Sequence, residues 1–206
     1  MVARESKTSS HCSASKAGRR KGKRSAPLDE TALRDLALSY AARFATTAAK
    51  LENYLARKIR ERGVAEDEDG RMRELDVTGL VTRLIELGYV DDHAYARSRS
   101  RDLTQRGYGK RRVEQALWAA GIEEQTRADH APGEAASRKA AKLLARKRGF
   151  GPFGRDRIVE DGEGQDARRK RHEKQVAAML RAGHLYEHVR FILDASQPGE
   201  VEDWVI

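Results

Sequence analysis

The sequence predicts an all-α fold of three tandem three-helix repeats, about nine helices, stacked into an elongated, curved array. Three observations predict it. Apolar residues recur at helical spacing from Leu33 to Leu193. β-branched and aromatic residues are scarce and proline is rare, which disfavours a sheet. One pattern returns three times: "LENYLARKIRERGV" (Leu51–Val64), "VEQALWAAGI" (Val113–Ile122) and "VAAMLRAGHL" (Val176–Leu185) each place two apolar residues four apart, then reach a glycine and another apolar residue. Each stretch sits second in a group of three helices. One group buries too little surface to be stable alone, so the groups are expected to stack.

The elements follow in order. Leu33, Leu36, Ala37, Tyr40, Ala41 and Phe44 share one helical face, with Asp29 and Glu30 as an acidic start. A second helix runs through Ala48, Leu51, Leu55 and Ile59, opened by Thr46 or Thr47 and closed near Gly63. "AEDEDGRMRE" is a solvated acidic insert, and a third helix carries Val77, Leu80, Val81, Leu84 and Leu87 to Gly88. Asp91 and Asp92 cap a fourth, which passes Tyr95, Ala96 and Leu103 and ends at Gly107. The fifth shows Val113, Ala116, Leu117 and Ala120 on one face and stops at Gly121. A short acidic sixth begins at Glu123 and stops at Pro132-Gly133. Ala136, Ala140, Leu143 and Leu144 make the seventh, which "GFGPFG" breaks. An eighth from about Asp166 buries Val176, Ala177 and Leu180, and a ninth buries Val189, Ile192 and Leu193. The expected division is a disordered basic tail at 1–27, repeat 1 at 28–90 with an acidic loop at 64–76, and repeat 2 at 91–132. Repeat 3 follows at 133–196 with a loop at 149–165, then an acidic C-terminal tail at 197–206.

The formal net charge of +9 suggests a nucleic-acid partner until it is divided along the chain. Residues 1–26 hold eight basic side chains against Glu5, so the tail carries +7 and the body only +2. That tail has too little apolar surface to offset the entropy of ordering. Within the body, charge alternates in blocks. Residues 97–112 carry seven basic side chains against Asp102, whereas 61–76 carry seven acids against three arginines. A surface of alternating sign suits a partner that is part protein and part nucleic acid better than naked duplex. The single cysteine, Cys12, excludes an intrachain disulfide and a thiolate zinc site. With no run long enough to span a bilayer and no secretory signal, the expected location is the cytoplasm, away from membranes.

"LARKIRERG", "LIELGYVDDHAYARSRSRDLTQRGYGKRRVEQALWAAGI" and "RKRHEKQVAAMLRAGHLYEHVRFILDA" resemble the RecX family of bacterial regulators of the RecA recombinase. The shared pattern is a Leu-Gly-aromatic-apolar-Asp-Asp turn, an arginine-rich helix, a Gly-x-Gly-basic turn and a helix ending Gly-Ile, and the likeness runs from about Leu33 to Ala195. The chain departs from the pattern at Trp118-Ala119-Ala120, where a basic residue is usual, in the acidic insert and in the loop after Arg148. The resemblance implies a non-enzymatic modulator without cofactor or metal. It implies RecA and its nucleoprotein filament as partner, with DNA, mainly single-stranded, and a monomeric regulator that inhibits ATP hydrolysis and recombination. The contacts to filament or DNA are then expected from Arg97, Arg101, Arg106, Lys110, Arg111, Arg112, Lys147, Arg148, Arg168, Arg169, Lys170 and Arg171. Closely spaced arginines can meet phosphates or carboxylates with paired donors.

Other readings are weighed on the same residues. Gly107 and Gly109 resemble half of a phosphate-binding loop, but the glycine-bounded span ending in Lys and Ser or Thr is missing. They are read instead as a joint between two helices, with an added anion contact because helix N-termini attract phosphate. "HLYEH" (His184–His188) matches a zinc-protease spacing, yet a third ligand would have to come from Glu200 or Glu202. The two histidines are expected near a helix start with exposed imidazoles. Trp118 is expected partly buried beside Leu117, an exposed stacking platform being the alternative. A helix-turn-helix reader would need several base-reading side chains on one helix, and "VEQALWAAGI" offers only Glu114 and Gln115. A single-strand-binding helical repeat remains the other alternative.

Overall fold

In the computed structural model, residues 26–67, 69–71, 74–154 and 164–205 are described. The basic tail up to residue 25, with Cys12, and the loop at 155–163 lie outside them. The described residues form ten α-helices: α1 (Glu30–Arg43), α2 (Ala48–Arg62), α3 (Val77–Glu86), α4 (Asp92–Gln105), α5 (Lys110–Trp118), α6 (Glu124–Asp129), α7 (Glu134–Arg148), α8 (Gln165–Arg181), α9 (Tyr186–Asp194) and α10 (Pro198–Trp204). A single 3-10 turn at Gly151–Phe153 follows α7. Strands are absent among these residues apart from one bridge, Leu28 with Val64.

Side-chain caps set the starts of the first helices. Asp29 accepts from the Ala32 N–H, Thr47 from Lys50, Asp76 from Gly79 and Asp91 from Ala94, so each uses its side-chain oxygen to satisfy an otherwise orphaned amide. The buried apolar faces then collect in three clusters. Leu28, Leu33, Leu51, Leu55, Val81, Leu84 and Val90 join α1, α2 and α3. Ala96, Leu103, Val113, Leu117 and Ile122 join α4 and α5. Ala141, Ala145, Met179, Val189, Ile192 and Val201 join α7, α8, α9 and α10.

Several expectations are corrected. The segment at 197–206 is not simply an acidic tail: α10 buries Val201, and Trp204 stacks on Phe191 with ring centroids 4.6 Å apart. One of its acids pairs with α7, where Lys142 lies 2.5 Å from Glu202. Phe44 and Leu87 leave the apolar faces assigned to them, because α1 and α3 have ended before them and both side chains are exposed. On α7 the fully buried positions are Ala140, Ala141 and Ala145 rather than Leu143 and Leu144, a small-residue face that lets neighbouring helices approach closely. On α8 only Met179 is fully buried, and Val176, Ala177 and Leu180 are half-buried at the rim.

The clusters are joined end to end by one repeated contact. The start of α2 meets the glycine turn that closes α5: the Thr47 hydroxyl donates to the Ala120 carbonyl at 2.6 Å, and a Cβ added at Gly121 would lie 2.3 Å from the Ala49 Cβ. The start of α5 meets the glycine turn that closes α8 in the same way. Here the Gly109 N–H donates to the Ala182 carbonyl at 2.9 Å, and the Arg111 N–H to Gly183 at 3.1 Å. The N-terminus of each second helix thus sits on the glycine turn of the following group, and the repeated sequence pattern encodes the joint as well as the core. At the free end, the Gly63 carbonyl accepts from the Leu28 N–H at 2.9 Å, and Leu28 is fully buried. Leu28 therefore occupies the carbonyl that a preceding group would use, which closes the array.

Candidate functional site

The basic stretch from Arg97 to Arg112 is built on α4, the Gly107–Gly109 turn and the start of α5. Arg97, Arg101 and Arg106 of α4 and its cap are all exposed, as are Lys110, Arg111 and Arg112. Not all are equally available. Arg106 holds Asp102 at 2.9 Å and Arg99 approaches the same carboxylate at 3.3 Å, so the one acid of the stretch is already engaged. Arg112 donates to the Gln115 side chain at 2.8 Å. Arg97 and Arg101 sit one turn apart on one face with no counter-ion among the described residues, an arrangement that is mildly repulsive by itself.

The anion contact expected at the start of α5 is corrected in its means. The amides of Gly109 and Arg111 are spent on the carbonyls of Ala182 and Gly183, so they cannot also cradle a phosphate. An added Cβ at Gly109 would fall 2.3 Å from the Gly183 backbone, and that close approach is why glycine stands there. The side chains of Lys110, Arg111 and Arg112 remain for an outside anion.

α7 splits its basic residues into two faces. Arg138, Lys142 and Arg146 recur every four residues and are turned to acids: Arg138 to Glu134 at 2.7 Å, Lys142 and Arg146 to Glu202. The Glu134 and Glu202 carboxyls are held below their usual range chiefly by those hydrogen bonds from Arg138 and Lys142. Lys139, Lys147 and Arg148 lie off that stripe and are exposed. Lys147 reaches the Arg106 carbonyl at 3.5 Å, which brings these two expected residues together. Arg168, Arg169 and Lys170 are exposed and Arg171 half-buried on the first turns of α8. Arg169 lies 3.6 Å from Glu173. Thirteen residues separate Arg168 from Arg181 at the far end of α8, roughly 20 Å of helix, so this group forms a separate patch from Lys110–Arg112.

The two histidines of "HLYEH" are not exposed: His184 is 1% and His188 2% accessible. His184 Nε2 lies 3.0 Å from the Gly107 carbonyl, so the neutral ring, protonated on Nε2, ties the α4–α5 turn to the α8–α9 turn. Burial pushes its pKa down to about 4, against the raising effect of that carbonyl. His188 Nε2 meets Glu134 at 3.0 Å. The imidazoles brace the fold because their Nε2 atoms have structural partners and α9 begins only at Tyr186. Trp118 is the reverse case. The expected partial burial beside Leu117 does not hold: Trp118 is 68% exposed, as in the alternative reading, because Val113 and Leu117 take the inward face of α5 and position 118 turns outward.

Sequence reasoning missed three participants. Asp92 does not cap its own helix; it accepts from the Ala48 N–H at 2.9 Å across the first joint, and desolvation there raises its pKa. Leu28 closes the array, and no periodicity marks a lone residue ahead of a helix. Lys139 shares a hollow with Arg97 and Arg101, a proximity that only tertiary packing creates.

The geometry can be set beside known proteins. Residues 91–129 match the family model described as RecX, second three-helix domain. A relative named Regulatory protein RecX, from Myxococcus xanthus (strain DK1622), is 28% identical over 178 residues, covering 84% of this chain and 90% of the relative. The crystal structure of RecX from Lactobacillus salivarius superimposes with a TM-score of 0.58 at 19% identity, over 80% of this chain and 96% of that one. A second structure, titled Crystal structure of regulatory protein RecX, gives a TM-score of 0.54 at 22% identity, over 81% and 74%. The two structures support the helical-repeat fold, and the sequence matches carry the resemblance: this chain is similar to RecX regulatory proteins over most of its length, with residues 91–129 as the second three-helix domain of that family.

Proposed function

We propose that the protein is a RecX-type regulator that binds the RecA–DNA filament and inhibits its ATP hydrolysis and strand exchange. The match of residues 91–129 to the family's second three-helix domain carries the reading, because that segment holds Arg97, Arg101, Arg106 and Lys110–Arg112. On this reading the groups at 28–90, 91–132 and 133–196 act as one rod-like monomer in the cytoplasm, and the head-to-tail joints let it follow a filament groove. Contacts come from exposed side chains of α4, α5, the end of α7 and the start of α8, while the paired stripe of Arg138, Lys142 and Arg146 serves the fold. No step needs a catalytic group or cofactor. Among the described residues no helix is long and apolar enough to cross a membrane.

Co-sedimentation with a filament of host RecA preformed on oligo-dT tests this. The wild type should pellet with the filament, and the triple variant Lys110→Glu, Arg111→Glu, Arg112→Glu should pellet at least about tenfold less while keeping its melting curve. A folded wild type that stays in the supernatant refutes the reading. The exposure of Trp118 favours one rival, a binder of bare single strands by base stacking. That rival requires oligo-dT affinity as strong as the filament's and a large loss on Trp118→Ala.

A further inference from the structure

We propose that the cleft between α4 and α7 is a peptide-docking site that takes an amphipathic, acidic segment of a protein partner, apolar on one side and carboxylate-bearing beside it. The proposal rests on the filament reading and refines it, since it assigns Arg97 and Arg101 to protein carboxylates rather than to phosphates.

The cleft has a volume of about 650 Å³, within the ~300–1,000 Å³ of specific binding pockets, and lies where the second and third groups meet. Its floor is apolar, made by Pro132, Ala136, Leu143 and their neighbours, and Arg97, Arg101 and Lys139 stand at its edge. Charge complementarity identifies the occupant. None of these three cations has a counter-ion among the described residues, and Asp102, the nearest acid on α4, is held by Arg99 and Arg106. The one acid lining the cleft, Asp129, already accepts from Gln125 at 2.8 Å. Two guanidinium forks one turn apart match carboxylates bidentately, and the neighbouring apolar floor gives the segment an anchor that water would otherwise wet.

A nucleic acid fits this place less well. Single strands are held by stacking bases on aromatic rings, and no Phe, Tyr or Trp lines the cleft. The exposed rings Tyr89, Tyr108 and Trp118 lie elsewhere. The chain's own acidic C-terminus is committed to another face of α7, through Lys142 and Glu202.

The test uses the full chain and a filament of host RecA on oligo-dT. Ala136→Trp fills the floor and Lys139→Glu inverts one edge charge; each should weaken filament binding at least about tenfold, while affinity for bare oligo-dT stays within about twofold for Ala136→Trp. A benzophenone amino acid at the exposed edge position Gln105 should cross-link to RecA. The proposal is overturned if folded Ala136→Trp binds the filament like the wild type, or if the cross-link lands on the DNA strand or on a second copy of this chain. Should Ala136→Trp fail to fold, Lys139→Glu and the cross-link decide by the same outcomes. A wild type that ignores the filament sinks the function reading itself, whereas wild-type binding with an unaffected Ala136→Trp sinks only the cleft.

Discussion

Replacing Gly109 with alanine isolates the joint between the second and third groups. The residue sits at the N-cap of α5 with φ of −81°, so alanine suffers no backbone penalty there, and any loss comes from space alone. A Cβ would fall 2.3 Å from both the carbonyl carbon and oxygen of Gly183 and 2.4 Å from the His184 nitrogen. All three are backbone atoms of a turn that the buried His184 ties to the Gly107 carbonyl, so the helix start must retreat. Retreat stretches two hydrogen bonds, Gly109 to Ala182 and Arg111 to Gly183, worth about 1 kcal/mol each, and adds overpacking strain of about 1–3 kcal/mol. A loss of about 3–5 kcal/mol is a large part of the ~5–15 kcal/mol that holds a domain. Because each group contacts only its neighbours, the loss should fall on the joint, and the single urea transition should split into two. Gly199→Ala is the control, since nothing lies within 4 Å of its Cβ and alanine favours the helix there; stability should hold or rise by up to about 1 kcal/mol. Far-ultraviolet circular dichroism during urea titration reads both variants. If Gly109→Ala melts like the wild type, the joint has been misassigned and a mobile phosphate-binding turn becomes the better account.

Three further outcomes follow from the same geometry. His184 is neutral in the fold, and its lowered pKa means the unfolded chain binds the proton first; the stability this ring supports is complete above about pH 6.5 and is lost as pH falls toward 4. Between pH 7 and 5 the wild type should lose about 2 kcal/mol more than His184→Gln in urea titrations, and equal slopes would contradict the buried, neutral ring. Leu117→Ala removes a fully buried side chain from the α4–α5 cluster and should cost about 2–4 kcal/mol by thermal melting, where a near-neutral result would mean that α5 faces the other way. Deleting residues 1–26 removes +7 of the +9 charge, so affinity for bare DNA should weaken and its dependence on salt should flatten, while inhibition of RecA largely survives. Joint collapse of both activities would make the basic tail the functional element.

Much of the architecture was legible because helical periodicity and glycine stops are local signals. Thr46 or Thr47, Gly63, Asp91 with Asp92, and Gly121 were placed at helix boundaries from the sequence alone, of which the caps are Thr47 and Asp91, and the repeated pattern pointed to stacked groups. Faces were less legible on highly charged or alanine-rich helices. α7 hides alanines and leaves its leucines half-covered, since what is buried depends on how closely α4 and α9 approach. Trp118 shows the limit of arguing from hydrophobicity: the residue is apolar, but the 100° step from Leu117 turns it to solvent. Contacts between groups were invisible. Nothing in sequence spacing tells that Asp92 serves α2, that His184 reaches Gly107, or that Glu202 of "GEVEDW" pairs with Lys142 and Arg146 of α7. For the same reason spacing does not tell which basic side chains are paired with acids in the fold, as Arg138, Lys142 and Arg146 of α7 are with Glu134 and Glu202.

The most direct measurement of the central claim is the rate of single-strand-dependent ATP hydrolysis by host RecA as the purified, folded protein is titrated in. The account predicts that the rate falls at substoichiometric to equimolar protein, that strand exchange falls with it, and that the Lys110→Glu, Arg111→Glu, Arg112→Glu variant requires at least about tenfold more protein for the same effect. Unchanged hydrolysis and strand exchange at a large excess of folded wild type would contradict it.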